Sequence, residues 1–129
     1  MLINVDWCVG LRNESNKSLN NNQECLTLNK NSKTGLLNAY DFMIASIDNS
    51  CNSIADKSCF NYNYLVKPYA WWLSTPSDKN SSRVYLVKPE EVLSKEAAYD
   101  AYIRESYYLN DIVRYSSGEG TLEKPYVFK

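Results

Sequence analysis

Histidine is absent from this chain of 129 residues. Without it, the Ser-His-Asp and Cys-His arrangements of nucleophilic catalysis cannot be assembled. A general base would have to be a carboxylate, a tyrosine or a lysine. Cys-x-x-Cys spacing is also missing. Structural zinc sites rely on such close pairs or on histidine partners, so the cysteines do not read as zinc ligands. Charge of one sign is missing too: 14 basic residues stand against 15 acidic ones, a formal net charge of -1. A nucleic-acid partner normally requires a basic excess or a basic stripe, so none is expected. No apolar run approaches the length of about 18 residues that would mark a membrane span, and no membrane contact by this segment is expected. Met1 to Asp6 has neither the basic start nor the apolar core of a secretory leader. The chain is therefore either cytosolic or the mature or truncated part of a longer precursor.

The cysteines favour the second reading. Cys8, Cys25, Cys51 and Cys59 are even in number and widely spaced, which suits two disulfides and an extracellular or cell-surface location. Nearest-neighbour pairing, Cys8–Cys25 and Cys51–Cys59, would close two polar loops rich in Asn and Ser. Each closure contributes about 2–3 kcal/mol in the chain-entropy model. The other two connectivities, and four reduced core thiols, remain open at this level.

The length suits a single globular domain over residues 1–129, burying roughly two-thirds of its unfolded surface. Ile3 to Leu11 alternates Val5, Trp7, Val9 and Leu11 on one face, a strand pattern. Asn13 to Glu24 is polar and reads as an exposed loop. Thr34 to Ile47 reads as a helix with Thr34 as its N-cap, because Leu36, Leu37, Tyr40, Met43, Ile44 and Ile47 share one helical face. Tyr69 to Ser77 and Arg83 to Val87 read as strands joined by the hairpin linker Ser77 to Ser82. Glu90 to Ala98 has helix-forming composition behind Pro89. A further strand is expected from about Tyr102 to Leu109, then a glycine turn and a short final strand. The expected class is α+β: a twisted antiparallel sheet, one main helix and long disulfide-tied loops.

Several segments, in order, resemble one family of secreted bacterial surface domains common in low-GC Gram-positive organisms. Gly35-Leu36-Leu37-Asn38-Ala39-Tyr40-Asp41 is similar to its G-L-x-x-x-D-Y motif. Trp72-Leu73-Ser74-Thr75-Pro76 is similar to W-x-L-S-P. Ile103-Arg104 with Tyr107-Tyr108-Leu109 resembles V-R-P-x-x-x-L, with Glu105 at the position of the proline. Gly118-Glu119-Gly120-Thr121 with Lys124-Pro125-Tyr126 resembles G-x-G-T-x-x-x-P-Y. Leu93-Ser94 stands where the family commonly has a glycine turn. The resemblance spans Gly35 to Phe128. It implies a C-type-lectin-like or formylglycine-generating-enzyme-like fold. It also implies the role of a globular head following a pilin-like helix, in filament assembly or adhesion. The expected partners are other pilin or surface subunits, or a glycan or protein on a host or cell surface. The alternative is a free-standing lectin-like domain that binds carbohydrate or protein. No catalytic residues carry over, so no enzyme is expected.

The candidate binding residues are aromatic. Trp71 and Trp72 are neighbours in one strand, so one should face the core and the other the opposite side, unless loops cover both. Tyr62, Tyr64 and Tyr69 would extend an exposed patch, since such rings combine large contact area with a polar handle. Arg104 is expected to pair with a carboxylate such as Asp41 and tie the helix to the sheet. Gly118 and Gly120 are expected to supply positive φ in a turn. Glu90-Glu91 reads as a solvated helix start. Glu90 with Asn110 and Asp111 echoes the spacing of calcium-dependent lectins, and calcium requires clustered oxygen ligands. Leu109 stands where that pattern has tryptophan and Lys88 where it has a ligand, so no cofactor is expected, with calcium as the alternative.

Overall fold

A computed structural model of the chain describes residues 1–10, 25–77 and 79–129. The expected loop over Asn13 to Glu24, the strand end at Leu11 and the linker residue Asp78 lie outside those residues.

The described residues form three antiparallel sheets with little helix. The first pairs β1 (Val5–Val9) with β2 (Thr27–Ser32). Sequence reasoning found β1 and missed β2, whose residues Thr-Leu-Asn-Lys-Asn-Ser are mostly exposed and carry no apolar alternation. Its register comes from tertiary contacts. Asn31 takes a positive φ of 57°, its N–H donates to Asp6 Oδ1 at 3.0 Å, and Trp7 Nε1 donates to the Ser32 carbonyl at 3.1 Å. The disulfides join Cys8 to Cys25 and Cys51 to Cys59.

The second sheet is a meander of β3 (Trp71–Pro76), β4 (Arg83–Val87) and β5 (Val92–Glu96). The hairpin between β3 and β4 is as the sequence suggested. The segment after Pro89 is not helical. Val92 to Glu96 pair along β4 from Val87 to Arg83, and the Arg83 guanidinium donates to Ser94 Oγ at 3.2 Å. A turn closed by the Lys88 N–H on the Glu91 carbonyl, 2.8 Å, brings the strand back. Local helix propensity is a weak prior, and ladder pairing overrides it.

The helix is much shorter than expected. α1 covers Ala39–Ile44, with Asn38 rather than Thr34 as its N-cap. The preceding residues are held by β3 and by the segment around Ser106 instead. Gly35 exchanges backbone hydrogen bonds with Ser106 at 3.0 and 2.8 Å, and the Leu37 carbonyl accepts from Ser74 N–H at 2.8 Å. Gly35 lies so close to the Trp7 indole that a Cβ there would collide with the ring. Asn38 and Asp41 form a capping box, and the Ala39 N–H donates to buried Thr75 Oγ1 of β3 at 2.9 Å. After Ala45, Ser46 Oγ donates to the Ser58 and Asn61 carbonyls at 3.1 and 2.8 Å. The Asp48 N–H donates to Ser46 Oγ at 3.2 Å, a local side-chain bond that replaces a helical one. Ala39, Phe42 and Met43 face inward, while Ile44 and Ile47 are exposed.

The core joins α1 to the meander and to the Cys51–Cys59 loop. Phe42, Met43, Ile54, Cys59, Leu73 and Val87 are fully buried there. The segment from Tyr102 to Leu109 is not a strand. It makes isolated bridges, Tyr102 with Trp71, Ser106 with Gly35, and Leu109 with Leu2. Its backbone is shared among three separate stretches of chain, so no continuous ladder forms. The third sheet is a small hairpin of β6 (Tyr115–Ser117) and β7 (Val127–Phe128). Gly118 and Gly120 turn it at φ 109° and 75°, the positive values expected of them.

Candidate functional site

Asn63 organises the surface in which two of the five expected binding residues, Tyr62 and Tyr64, meet. Its side-chain amide is buried. Nδ2 donates to the Phe42 and Cys59 carbonyls, each at 2.8 Å, and Oδ1 accepts from Leu65 N–H at 3.0 Å. One amide thus ties the end of α1 to the second disulfide and to the chain beyond it. With Asn63 pinned inward, its neighbours point outward. Tyr62 adopts φ 52°, a region in which a bulky residue is uncommon and strained. Tyr62 and Tyr64 are 80% and 74% exposed.

These tyrosines line a groove of about 410 Å³ with Leu37, Asp41, Ile44, Ala45, Ile47 and Leu65. Ile44 and Ile47 are 53% and 75% exposed. The inward face of α1 is Ala39, Phe42 and Met43, so Ile44, within the helix, points outward, and the helix ends before Ile47. Sequence reasoning therefore missed Ile44 and Ile47 as surface residues. The available signal was Ser46 and the Asp48-Asn49-Ser50 run, which favour early termination. Tyr62 and Tyr64 were foreseen.

Asp41 is the charged residue of the groove. It sits half-buried in the first turn of α1, and its Oδ2 accepts from the Asn38 N–H at 3.0 Å. Burial raises its pKa from the ordinary 3.8, against the lowering effect of that N–H. Arg104 does not pair with it. The Arg104 guanidinium donates to the Leu65 carbonyl at 3.2 Å and lies 4.7 Å from the Trp71 ring centroid. It ties the 102–109 segment to β3 by stacking and backbone capture, so its role is structural through other partners.

Trp71 and Trp72 offer no ligand surface, being 0% and 8% exposed. Trp71 packs edge-on to Phe42. Trp72 is edge-on to Tyr99, so the face opposite the core is covered as well. Tyr69 lies outside the groove and packs against Tyr102 with tilted rings, 4.7 Å between centroids. Among the described residues no group of three or more acidic or cysteine side chains converges. Glu90 lines a different groove of about 570 Å³ beside Lys88 and Phe60, and Asn110 Oδ1 accepts from the Ile112 N–H at 3.0 Å. In that larger groove Lys88 faces Glu91 at 3.7 Å, so part of its charge is already matched.

The chain matches no family model, no curated protein and no solved structure. None of its described helices is long and apolar enough to cross a membrane.

Proposed function

We propose that this protein is a non-enzymatic extracellular binding module that works through the groove between α1 and Tyr62–Tyr64. The observation that carries this reading is the outward display of Ile44, Ile47, Tyr62 and Tyr64 around one recess. Contiguous exposed apolar surface of this kind is characteristic of interaction sites, and tyrosine is favoured there for its large, stiff contact area. The two disulfides support an oxidising location. The resemblance to secreted surface domains of low-GC Gram-positive bacteria agrees with them. In that setting the module is the globular head of a pilin-like surface protein, and the groove serves assembly or adhesion.

A second reading is a free-standing lectin-like domain with a C-type-lectin-like fold. The tyrosines favour it specifically, because an aromatic face can also receive a sugar ring.

One experiment separates the two. The domain and its Y62A/Y64A variant are compared by analytical ultracentrifugation and on a glycan array. Concentration-dependent self-association lost in the variant supports the assembly role. Glycan binding lost in the variant supports the lectin reading. Binding or self-association that the variant retains in full would remove the groove from either role.

A further inference from the structure

The groove carries one unbalanced feature. Ile44, Ile47, Tyr62 and Tyr64 make it apolar, yet Asp41 opens into it. The Asp41 carboxylate is bound by a single backbone N–H, and among the described residues no lysine or arginine stands against it. A half-buried carboxylate without a cation is costly in its charged form.

We propose that the groove receives a lysine or arginine side chain from a basic segment of a partner protein, with the cationic head at Asp41 and the stem along Ile44 and Ile47. The inference rests on the reading of the groove as a binding face and deepens it by naming the chemistry of the occupant. Long cationic side chains lay their methylenes on apolar surface while keeping the charge at a polar point. The exposed tyrosine rings add attraction, since a cation over an aromatic face is favoured. The approaching ammonium or guanidinium restores to Asp41 the solvation that burial removes, and a charge-assisted hydrogen bond forms at its oxygen. An acidic occupant would place like charges together, and a purely apolar one would dehydrate the carboxylate further. The volume of about 410 Å³ lies within the ordinary range of ligand recesses.

The test uses the whole oxidised chain, labelled with nitrogen-15, and three capped tripeptides: Leu-Lys-Leu, Leu-norleucine-Leu and Leu-Glu-Leu. Amide shifts of Asp41, Ile44, Tyr62 and Tyr64 are followed at millimolar peptide. The expected result is saturable movement with the lysine peptide and roughly tenfold weaker binding to D41N, the loss typical of a hydrogen bond to a charged group. Asn at this position still accepts from the Asn38 N–H, so the cap is kept. Y62A/Y64A provides a second variant whose binding should also fall. Equal binding of the norleucine peptide would overturn the cation inference and leave the groove as an apolar binding face. So would lysine-peptide binding that D41N leaves intact. If no peptide moves these amides but an oligosaccharide does, the inference fails and the binding face stands. If nothing moves them, both readings fall.

Discussion

Removing each disulfide in turn distinguishes two accounts of what these crosslinks do. Cys8–Cys25 spans a sequence separation of 17 and Cys51–Cys59 a separation of 8. In the chain-entropy model the longer loop is worth about 3 kcal/mol and the shorter about 2.5 kcal/mol. Entropy alone therefore makes C8A/C25A the costlier change. Burial reverses the order. Cys51 and Cys59 are 6% and 0% exposed and belong to the core with Phe42, Ile54 and Leu73, whereas Cys8 and Cys25 are half-buried. Deleting two core sulfurs adds lost contacts and a cavity of about 1–1.5 kcal/mol each. Half-buried sulfurs add about 0.5 kcal/mol each by the same reasoning. The expected totals are about 5 kcal/mol for C51A/C59A and about 4 kcal/mol for C8A/C25A, each a large share of a typical domain stability. Urea unfolding at fixed pH measures both, with the slope fitted freely because removing a crosslink expands the denatured state. If C8A/C25A proves the less stable of the two, the core contribution assigned to Cys51–Cys59 is wrong.

Asn63→Ala strands the Phe42 and Cys59 carbonyls and the Leu65 N–H. It should cost about 2–4 kcal/mol and perturb the amides of Tyr62 and Tyr64 in heteronuclear spectra; unchanged groove amides would count against Asn63 as its organiser. Phe42→Ala, at a fully buried position between Phe60 and Trp71, should cost about 3–5 kcal/mol by chemical denaturation. Gly118→Ala forces a side chain onto φ 109° and against the Pro125 carbonyl. The damage should stay within the Tyr115–Ser117 and Val127–Phe128 hairpin, read as local loss of amide protection with little change in global stability. Asp41 and Asp48 titrate with opposite consequences. The raised pKa of Asp41, from burial, gives stability that is present below 3.8 and lost as pH rises through its folded value. The lowered pKa of Asp48 comes first from the Asn61 amide and then from the Ser50 N–H, and gives stability present above 3.8 and lost as pH falls through its folded value. Wild type should therefore lose ground to D41N between pH 3.8 and neutrality, and to D48N on acidification below 3.8; urea midpoints across pH that run parallel for all three proteins would refute both assignments.

Much of this structure is legible in the chain. Alternation at Val5, Trp7 and Val9 and the run Arg83 to Val87 mark two strands, because a half-buried or buried pleat demands apolar side chains at those spacings. Loop-forming composition between the cysteines points to the pairing found, and Gly118 and Gly120 mark the terminal turn because only glycine takes such φ cheaply. Tyr62 and Tyr64 stand out as surface aromatics. The remainder was set by partners distant in sequence. Whether Glu90 to Glu96 coils or extends depends on the free edge of β4, which no local pattern reveals. The apolar face counted from Leu36 to Ile47 is real as a spacing, but Ser106 and Ser74 hold the backbone before Ala39, and the Asp48 N–H turns to Ser46 Oγ after Ala45. α1 is thereby shortened, and its inward face is Ala39, Phe42 and Met43, which leaves Ile44 outward with Ile47 and Asp41 beside it. Arg104 likewise goes to the Trp71 ring and the Leu65 carbonyl instead of the Asp41 carboxylate. Residue types and their spacing thus determined which segments could pair, turn and crosslink. Only the packed chain decided which apolar side chains remained outside, since burial depends on what each backbone group finds across the fold.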